Sequence, residues 1–243
     1  MKLSDLPRAR DTRVDTIERE LTEFSHIVSH DLAAPCRHLS HFSQLLLRDM
    51  GPQLTESQRK YGGQIQAAGV RCQSMLEQLL LFSRAQACQL NCEAHDATHL
   101  LKTALLQLSR EVREAVANVS IEATGSVFGD SGLLTMLFKE LMANAIRFRQ
   151  QSQPCHVRVL ADAADHCWVG RVVDEGVSLE PAYHEKAFRM FWQLNPDDGG
   201  GGVGAGLAIA RRIARRHGGE VRFVPTTVGA CVEVELPIAR STE

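Results

Sequence analysis

The hydrophobic pattern changes period part-way along the chain, and that change bounds what the chain can fold into. Val14, Ile17, Leu21, Phe24 and Val28 alternate steps of three and four, the spacing of a heptad seam on a helix. The stretch MGPQL, 50–54, carries Gly and Pro and predicts a turn. Thr55 follows as an N-cap, with Gln58 three residues on completing a capping box. Beyond it Tyr61, Ile65, Ala68, Cys72, Met75, Leu79 and Phe82 step again by four and three. Two long helices joined by a short turn make an antiparallel hairpin. One hairpin cannot cover both seams, so the pattern predicts a dimeric four-helix bundle, a homodimer through the hairpin. Gly62, Gly63 and Gly69 are expected to weaken the second helix by roughly 1 kcal/mol each at exposed positions.

After residue 93 the pattern turns to mixed α/β. Helices are predicted at 96–116, 131–149, 180–190 and 204–217. Strands are predicted at HVRVLA (156–161), CWVGRVVD (167–174), EVRFV (220–224) and ACVEVELP (230–237). The fold class is therefore α + α/β in two domains, 1–90 and 91–243, with the boundary near residues 88–95.

Charge and cysteine usage narrow the function. Against 29 Asp+Glu stand 27 Lys+Arg, a net charge of −2 that argues against a general nucleic-acid binder. No apolar run has the length of a membrane span, and MKLSDLPRARDTRVDTIERE has no signal-peptide core. The seven cysteines form no disulfide-like framework, which suits a reducing compartment. The expectation is a soluble, cytoplasmic protein.

FSHIVSHDLAAPCRHLSHF, 24–42, holds four histidines, His26, His30, His38 and His41. At about 100° per residue, His26, Arg37 and His41 lie within about 40° of His30 on a helix, and His38 about 80° away. None falls on the Val14–Val28 seam, so a solvated polar face accounts for them equally well. Their neighbours separate them. His30 is followed directly by Asp31 and, five residues on, by Pro35. A neutral imidazole is a nucleophile when a nearby carboxylate fixes its tautomer and takes its proton. A proline inside a helix costs about 3 kcal/mol and loosens the turn before it. His30 is the chemical candidate.

The segment FSHIVSHDLAAPCR resembles the phosphoacceptor box of sensor histidine kinases, Ser-His-Glu/Asp-Leu-x-x-Pro. The resemblance runs from about residue 20 to 238 and is nearest the kinases of bacterial phytochromes. It implies that His30 accepts the γ-phosphoryl group of ATP and that Asp31 assists as base. It also implies that 1–90 is a dimerisation and phosphotransfer hairpin and 91–243 a catalytic ATP-binding domain.

The second half carries matching features. LFKELMANAIRFR, 137–149, sets Glu140 and Asn144 four apart on one helix face, with Arg147 three further on. Carboxylate and carboxamide can hold Mg²⁺, and the arginine can meet phosphates; an ordinary amphipathic helix would show the same pattern. VVDEGVS, 172–178, ends a strand in Asp174, an acceptor for an adenine amino group, and Gly176, which lets the ring approach. A plain strand-end turn reads alike. GGGGVGAGLAIARRI, 199–213, leads Gly202, Gly204, Gly206 and Leu207 into a helix whose N-terminus can cradle phosphates. With Phe188 and Phe191 between, the order resembles the N, first glycine, F and second glycine boxes of the GHKL (Bergerat) ATPase domain, an α/β sandwich. By that resemblance Asn144 and Glu140 hold Mg²⁺, Asp174 takes adenine, and 191–204 is the ATP lid.

Four departures bear on activity. Glu140 stands where the N box usually has Asn. Ser178 replaces the second glycine of Asp-x-Gly-x-Gly and is expected to narrow the pocket. Gln193 occupies a lid position that is often basic, and Asp197 and Asp198 add negative charge there, which should weaken ATP binding or slow transfer. Ala34 stands where phosphatase-competent relatives carry Thr or Asn. The leading expectation is a histidine kinase passing phosphate from His30 to an aspartate on a response regulator receiver domain, with a separate sensor partner or a longer chain supplying the signal. The alternative is an impaired module that relays phosphate or docks a regulator. A serine kinase or simple ATPase would leave the hairpin unexplained. Cys88, Cys92, His95 and His99 are weighed as a zinc site, against plain linker residues.

Overall fold

A computed structural model describes residues 11–150, 153–164, 167–194 and 202–238, with the backbone alone for 11–26, 29 and 30. The chain divides into two compact units, Met1–Cys88 and Gln89–Glu243.

The first unit is a hairpin of α1 (Asp11–Asp49) and α2 (Glu56–Ala87), and α1 runs on through Pro35. The side chains of Val14, Ile17, Leu21 and Phe24, the expected first seam, lie outside the described residues. Thr55 caps α2 reciprocally: its hydroxyl accepts from the Gln58 amide at 3.3 Å, and the Gln58 side chain accepts from the Thr55 amide at 2.9 Å. Thr55→Ala removes the hydroxyl partner and should cost the hairpin about 1 kcal/mol, read as a lower urea midpoint at unchanged slope.

The seam that packs α1 on α2 differs from the expected one. Buried positions on α2 include Gly62, Gly69, Leu76 and Ser83, spaced by seven, and on α1 Cys36 and Ser43 are buried. Tyr61 and Ile65, expected inside, are exposed within the single chain. Two of the three glycines are a packing device rather than a weakness. A Cβ at Gly62 would come within 2.6 Å of the Leu47 side chain, and Ser43 donates to the Gly62 carbonyl at 3.4 Å. Gly63 alone faces open space.

The second unit is α/β. Its order is β1 (Glu93–Asp96), α3 (Ala97–Leu106), α4 (Ser109–Ala115), β2 (Asn118–Ala123), β3 (Ser126–Gly129), α5 (Ser131–Arg147), β4 (His156–Ala163) and β5 (Cys167–Asp174). A 3₁₀ turn (Pro181–Tyr183), α6 (His184–Ala187), α7 (Gly206–Arg216), β6 (Glu220–Phe223) and β7 (Ala230–Pro237) follow. The main sheet has the order β2-β4-β5-β7-β6, antiparallel except for β2 with β4, and β1 pairs with β3 separately. Alternate residues of the sheet, Val157, Val159, Trp168, Val172, Val232 and Val234 among them, are buried, as are Leu101 of α3, Leu137, Phe138 and Leu141 of α5, and Ile209 and Ile213 of α7. Trp168 meets Phe138 edge-on, centroids 5.6 Å apart.

The single helix expected over 96–116 is two. The chain turns at Gln107–Leu108, which lets Leu108 bury almost fully, and the Ser109 hydroxyl closes on the Leu106 carbonyl. The helix expected over 180–190 is a 3₁₀ turn and the four-residue α6. Three short strands, β1, β2 and β3, were not expected.

Candidate functional site

A cleft opens at one end of the main sheet. Asn144, Arg147, Asp174, Ser178, Gln193, Gly204, Gly206 and Leu207 line it, with Phe148, Val177, Trp192, Phe223 and Ala230 as apolar walls. Its enclosed volume is about 110 Å³, below the roughly 300–1,000 Å³ of sites that take in a whole small molecule. The enclosed part has room for a flat ring, and anything longer extends to the mouth.

α5 supplies the polar edge. Leu137, Phe138, Leu141, Ala145 and Ile146 are buried, and Glu140, Asn144 and Arg147 share the remaining face. The Glu140 side chain is 12% exposed, 3.8 Å from Lys139, and burial raises its pKa above the usual carboxylate range.

Asp174 ends β5. It is buried, its Oδ1 accepts from the Gly176 amide at 2.8 Å, and the Ala230 amide also donates to it. Burial outweighs both bonds and pushes its carboxyl up to about 6. Gly176 is required for close packing: a Cβ there would strike the Phe148 carbonyl oxygen and lie 2.8 Å from Asp174 Oδ1. The Val177 amide donates to that same carbonyl at 2.9 Å, tying the end of α5 to the turn after β5.

The glycines ahead of α7 let it approach α5. Gly202 and Gly204 adopt φ of +38° and +74°, left-handed backbone that side chains disfavour. A Cβ on Gly202 would lie 2.8 Å from the Arg147 guanidinium, and one on Gly204 would strike the Trp192 carbonyl. A Cβ on Gly206 would come 2.8 Å from Glu140 Oε2. α7 begins after Ala205, whose methyl side chain cannot cap the first amides of the helix. Uncapped amides beside Arg147, with the Asn144 carboxamide and the Glu140 carboxylate adjoining, suit a polyphosphate and a hard cation with oxygen ligands. The donor set fits both.

Ser178 donates its hydroxyl to the Gly229 carbonyl at 2.8 Å, and Gln193 donates its carboxamide to the Gly202 carbonyl. Trp192 stacks on Tyr183 with centroids 5.9 Å apart. Phe148, Trp192, Phe223 and Ala230 were missed as lining residues; the places of Phe148 beside Arg147 and of Trp192 beside Phe191 are the signals that could have found the first two. Asp197 and Asp198 lie outside the described residues, as does the side chain of His30, whose backbone sits in α1; Asp31 beside it is exposed. The zinc reading is overturned: no cluster of three or more potential ligands occurs among the described residues, and His95 Nε2 lies 3.0 Å from the Gly129 carbonyl.

Comparison with known families now bears on this geometry. Residues 20–88 match the family described as the His Kinase A (phospho-acceptor) domain, and residues 129–240 the histidine kinase-, DNA gyrase B- and HSP90-like ATPase family. Phosphoacceptor hairpin followed by GHKL ATPase domain defines one class, and the chain belongs to it as a sensor histidine kinase transmitter core. The phytochrome-like protein Cph1 of Synechocystis sp. is 26% identical over 202 residues, 83% of this chain and 27% of that protein. Cyanobacterial phytochrome B of Nostoc sp. is 29% identical over 213 residues, 87% and 28% respectively. The chain thus spans just over a quarter of these relatives. In solved structures it is similar to full-length ShkA in complex with AMPPNP, with a TM-score of 0.64 at 23% identity over 88% of this chain and 45% of that one. It is also similar to histidine kinase ThkA in complex with response regulator TrrA, with a TM-score of 0.66 at 17% identity over 99% and 70%. At these identities the likeness is one of fold. Among the described residues no helix is long and apolar enough to cross a membrane.

Proposed function

We propose that the protein is an ATP-dependent histidine kinase that phosphorylates His30 and passes the phosphoryl group to an aspartate of a response regulator receiver domain. The observation that carries this is the cleft, where a buried carboxylate, an Asn/Arg helix face and an uncapped helix N-terminus converge behind glycines. Asp174 accepts the adenine amino group, Gly176 gives the ring room, and Arg147 with the amides of Gly204, Gly206 and Leu207 holds the phosphates. Asn144, with Glu140 beside it, holds Mg²⁺, which neutralises charge on the phosphates. An imidazole nitrogen of His30 attacks the γ-phosphorus, a P–N bond forms, the bond to the β,γ-bridging oxygen breaks and ADP leaves. The imidazole proton passes to Asp31. The chain's contribution is positioning and charge neutralisation.

The exposed apolar residues of the hairpin, Leu32, Leu39, Phe42, Leu46, Tyr61 and Ile65, support a homodimer in which a second copy covers them. The named regulator in the ThkA complex supports the partner class, and the AMPPNP in the ShkA structure supports the nucleotide. A cytoplasmic location and a sensor supplied by another segment or protein complete the reading. The second reading, an impaired relay or docking module, draws on Ser178 and Gln193, which line the cleft and bond the Gly229 and Gly202 carbonyls.

Incubation with γ-labelled ATP and Mg²⁺ tests the proposal. Acid-labile, base-stable label is expected in the natural protein and in His26→Gln, and none in His30→Gln. No label in folded, dimeric protein would favour the second reading, and phosphotransfer from a phosphorylated receiver would then be the assay.

A further inference from the structure

The hairpin sets two cysteines at one level, one on each helix. Cys36 on α1 is 7% exposed, and burial, with the Cys72 side chain of α2 as a second cause, raises its thiol pKa above the usual value. The backbones come close at this level. A Cβ at Gly69 would lie 3.1 Å from the Ser40 nitrogen and 3.3 Å from the Cys36 oxygen. Cys72 follows Gly69 by three residues, one turn along the same helix face. Disulfides form where Cα atoms are roughly 4.4–6.8 Å apart, and helices packed this closely over a bare glycine place Cys36 and Cys72 across the seam from each other, one turn from that approach.

We propose that Cys36 and Cys72 are an oxidation site, a thiol pair that a hydroperoxide converts into an intramolecular disulfide fastening α1 to α2. The two sulfurs take different parts. Cys72 is exposed and meets the oxidant first, whereas Cys36 is buried and shielded. The Cys72 sulfur attacks hydrogen peroxide, the O–O bond breaks, and a sulfenic acid and one water result. The Cys36 sulfur then attacks the Cys72 sulfur, the S–O bond breaks, the S–S bond forms and a second water leaves. Two thiols lose two electrons and two protons in all, and the peroxide is reduced to two waters.

Oxidation has two consequences. Closing the loop from 36 to 72 restricts the unfolded chain and raises the melting temperature of the hairpin. It also pins α1 immediately after Pro35, six residues from His30 and so about 9 Å along the helix. That proline is the place where α1 bends most readily. The effect on His30 rests on the kinase reading above, and the bond itself does not.

The experiment treats the full reduced chain with hydrogen peroxide, blocks remaining thiols and digests without reductant for mass spectrometry. The expected result is a peptide pair linked through Cys36 and Cys72, a single-chain band on a non-reducing gel, and a melting temperature raised by several degrees that dithiothreitol returns. Cys72→Ser, a change at an exposed position, should abolish all three. A Cys36 that remains a thiol while Cys72 proceeds to sulfinic acid would overturn the proposal. So would a bond joining two chains through Cys72, or one formed by Cys88 and Cys92 in its place. In the labelling assay the oxidised protein should carry several-fold less phosphate than the reduced protein, and equal label would remove the proposed coupling to His30. Absence of label in the reduced protein counts against the kinase reading and leaves the disulfide result standing.

Discussion

Asp174→Asn should weaken ATP binding by about 100-fold, the equivalent of about 2.7 kcal/mol. The carboxylate already accepts from the Gly176 and Ala230 amides, and in the proposed complex it also accepts from the adenine amino group. Asparagine keeps one acceptor for those amides and turns two donors toward the amino group, so a favourable bond becomes a donor–donor contact. The same substitution should leave the domain folded and more stable at neutral pH. Burial raises the Asp174 pKa from 3.8 to about 6, so the folded state binds this proton more tightly than the unfolded chain. Stability from this group is therefore fullest below the unfolded value. It falls as pH rises to about 6, by about 3 kcal/mol, since one pKa unit is worth about 1.4 kcal/mol. Urea unfolding at pH 4.5 and 7.5 should show about 2 kcal/mol of that loss in the natural protein and a smaller one in Asp174→Asn. ATP titrations should weaken below pH 6 in the natural protein only. An unchanged ATP affinity in the variant would remove Asp174 from the adenine site.

Much of this site was legible before any coordinates, because its residues work in local patterns. Glu140, Asn144 and Arg147 share a face simply by being four and three apart on one helix. Gly202, Gly204 and Gly206 stand in sequence where the chain enters α7, and Asp174 closes a strand whose alternation is plain. What stayed hidden depends on partners far along the chain. Phe223 and Ala230 line the cleft from β6 and from the start of β7, and nothing near them in sequence marks them out. β1 and β3 are four residues each and gain their strand character only by pairing with one another. The break between α3 and α4 follows from burying Leu108, a tertiary effect that overrides helix propensity. On the hairpin, stepping through the apolar residues of α2 reached Met75, Leu79 and Phe82, which are half-buried, but began at Tyr61 and Ile65, which are exposed within the single chain. Small residues such as Gly62 and Gly69 let α1 come close, and hydrophobicity alone gives them no weight.

Trp168→Ala should have the largest effect on stability, a loss of about 3–5 kcal/mol from the second unit. Trp168 is 1% exposed and lies edge-on to Phe138 of α5. Gly170, two residues along β5, has no side chain because none fits: a Cβ there would come within 2.8 Å of the Trp168 ring and 2.9 Å of the Phe138 ring. Sheet and helix are thus shaped around one indole, and alanine leaves a cavity that neither can fill without moving. Chemical denaturation measures the loss as a lower urea midpoint, and a cost under about 1 kcal/mol would mean that the core repacks freely. Trp168→Phe separates shape from polarity. The indole N–H is buried with no hydrogen-bond partner among the described residues, so phenylalanine removes an unsatisfied donor and keeps an aromatic body. It should cost well under half as much as alanine. The consequence for function runs through α5, whose buried side carries Phe138 and whose polar face carries Glu140 and Asn144. A helix seated less firmly on the sheet presents those groups less reproducibly to a bound nucleotide. Trp168→Ala should therefore also weaken ATP binding under conditions where the domain is still folded, while Trp168→Phe should bind ATP like the natural protein.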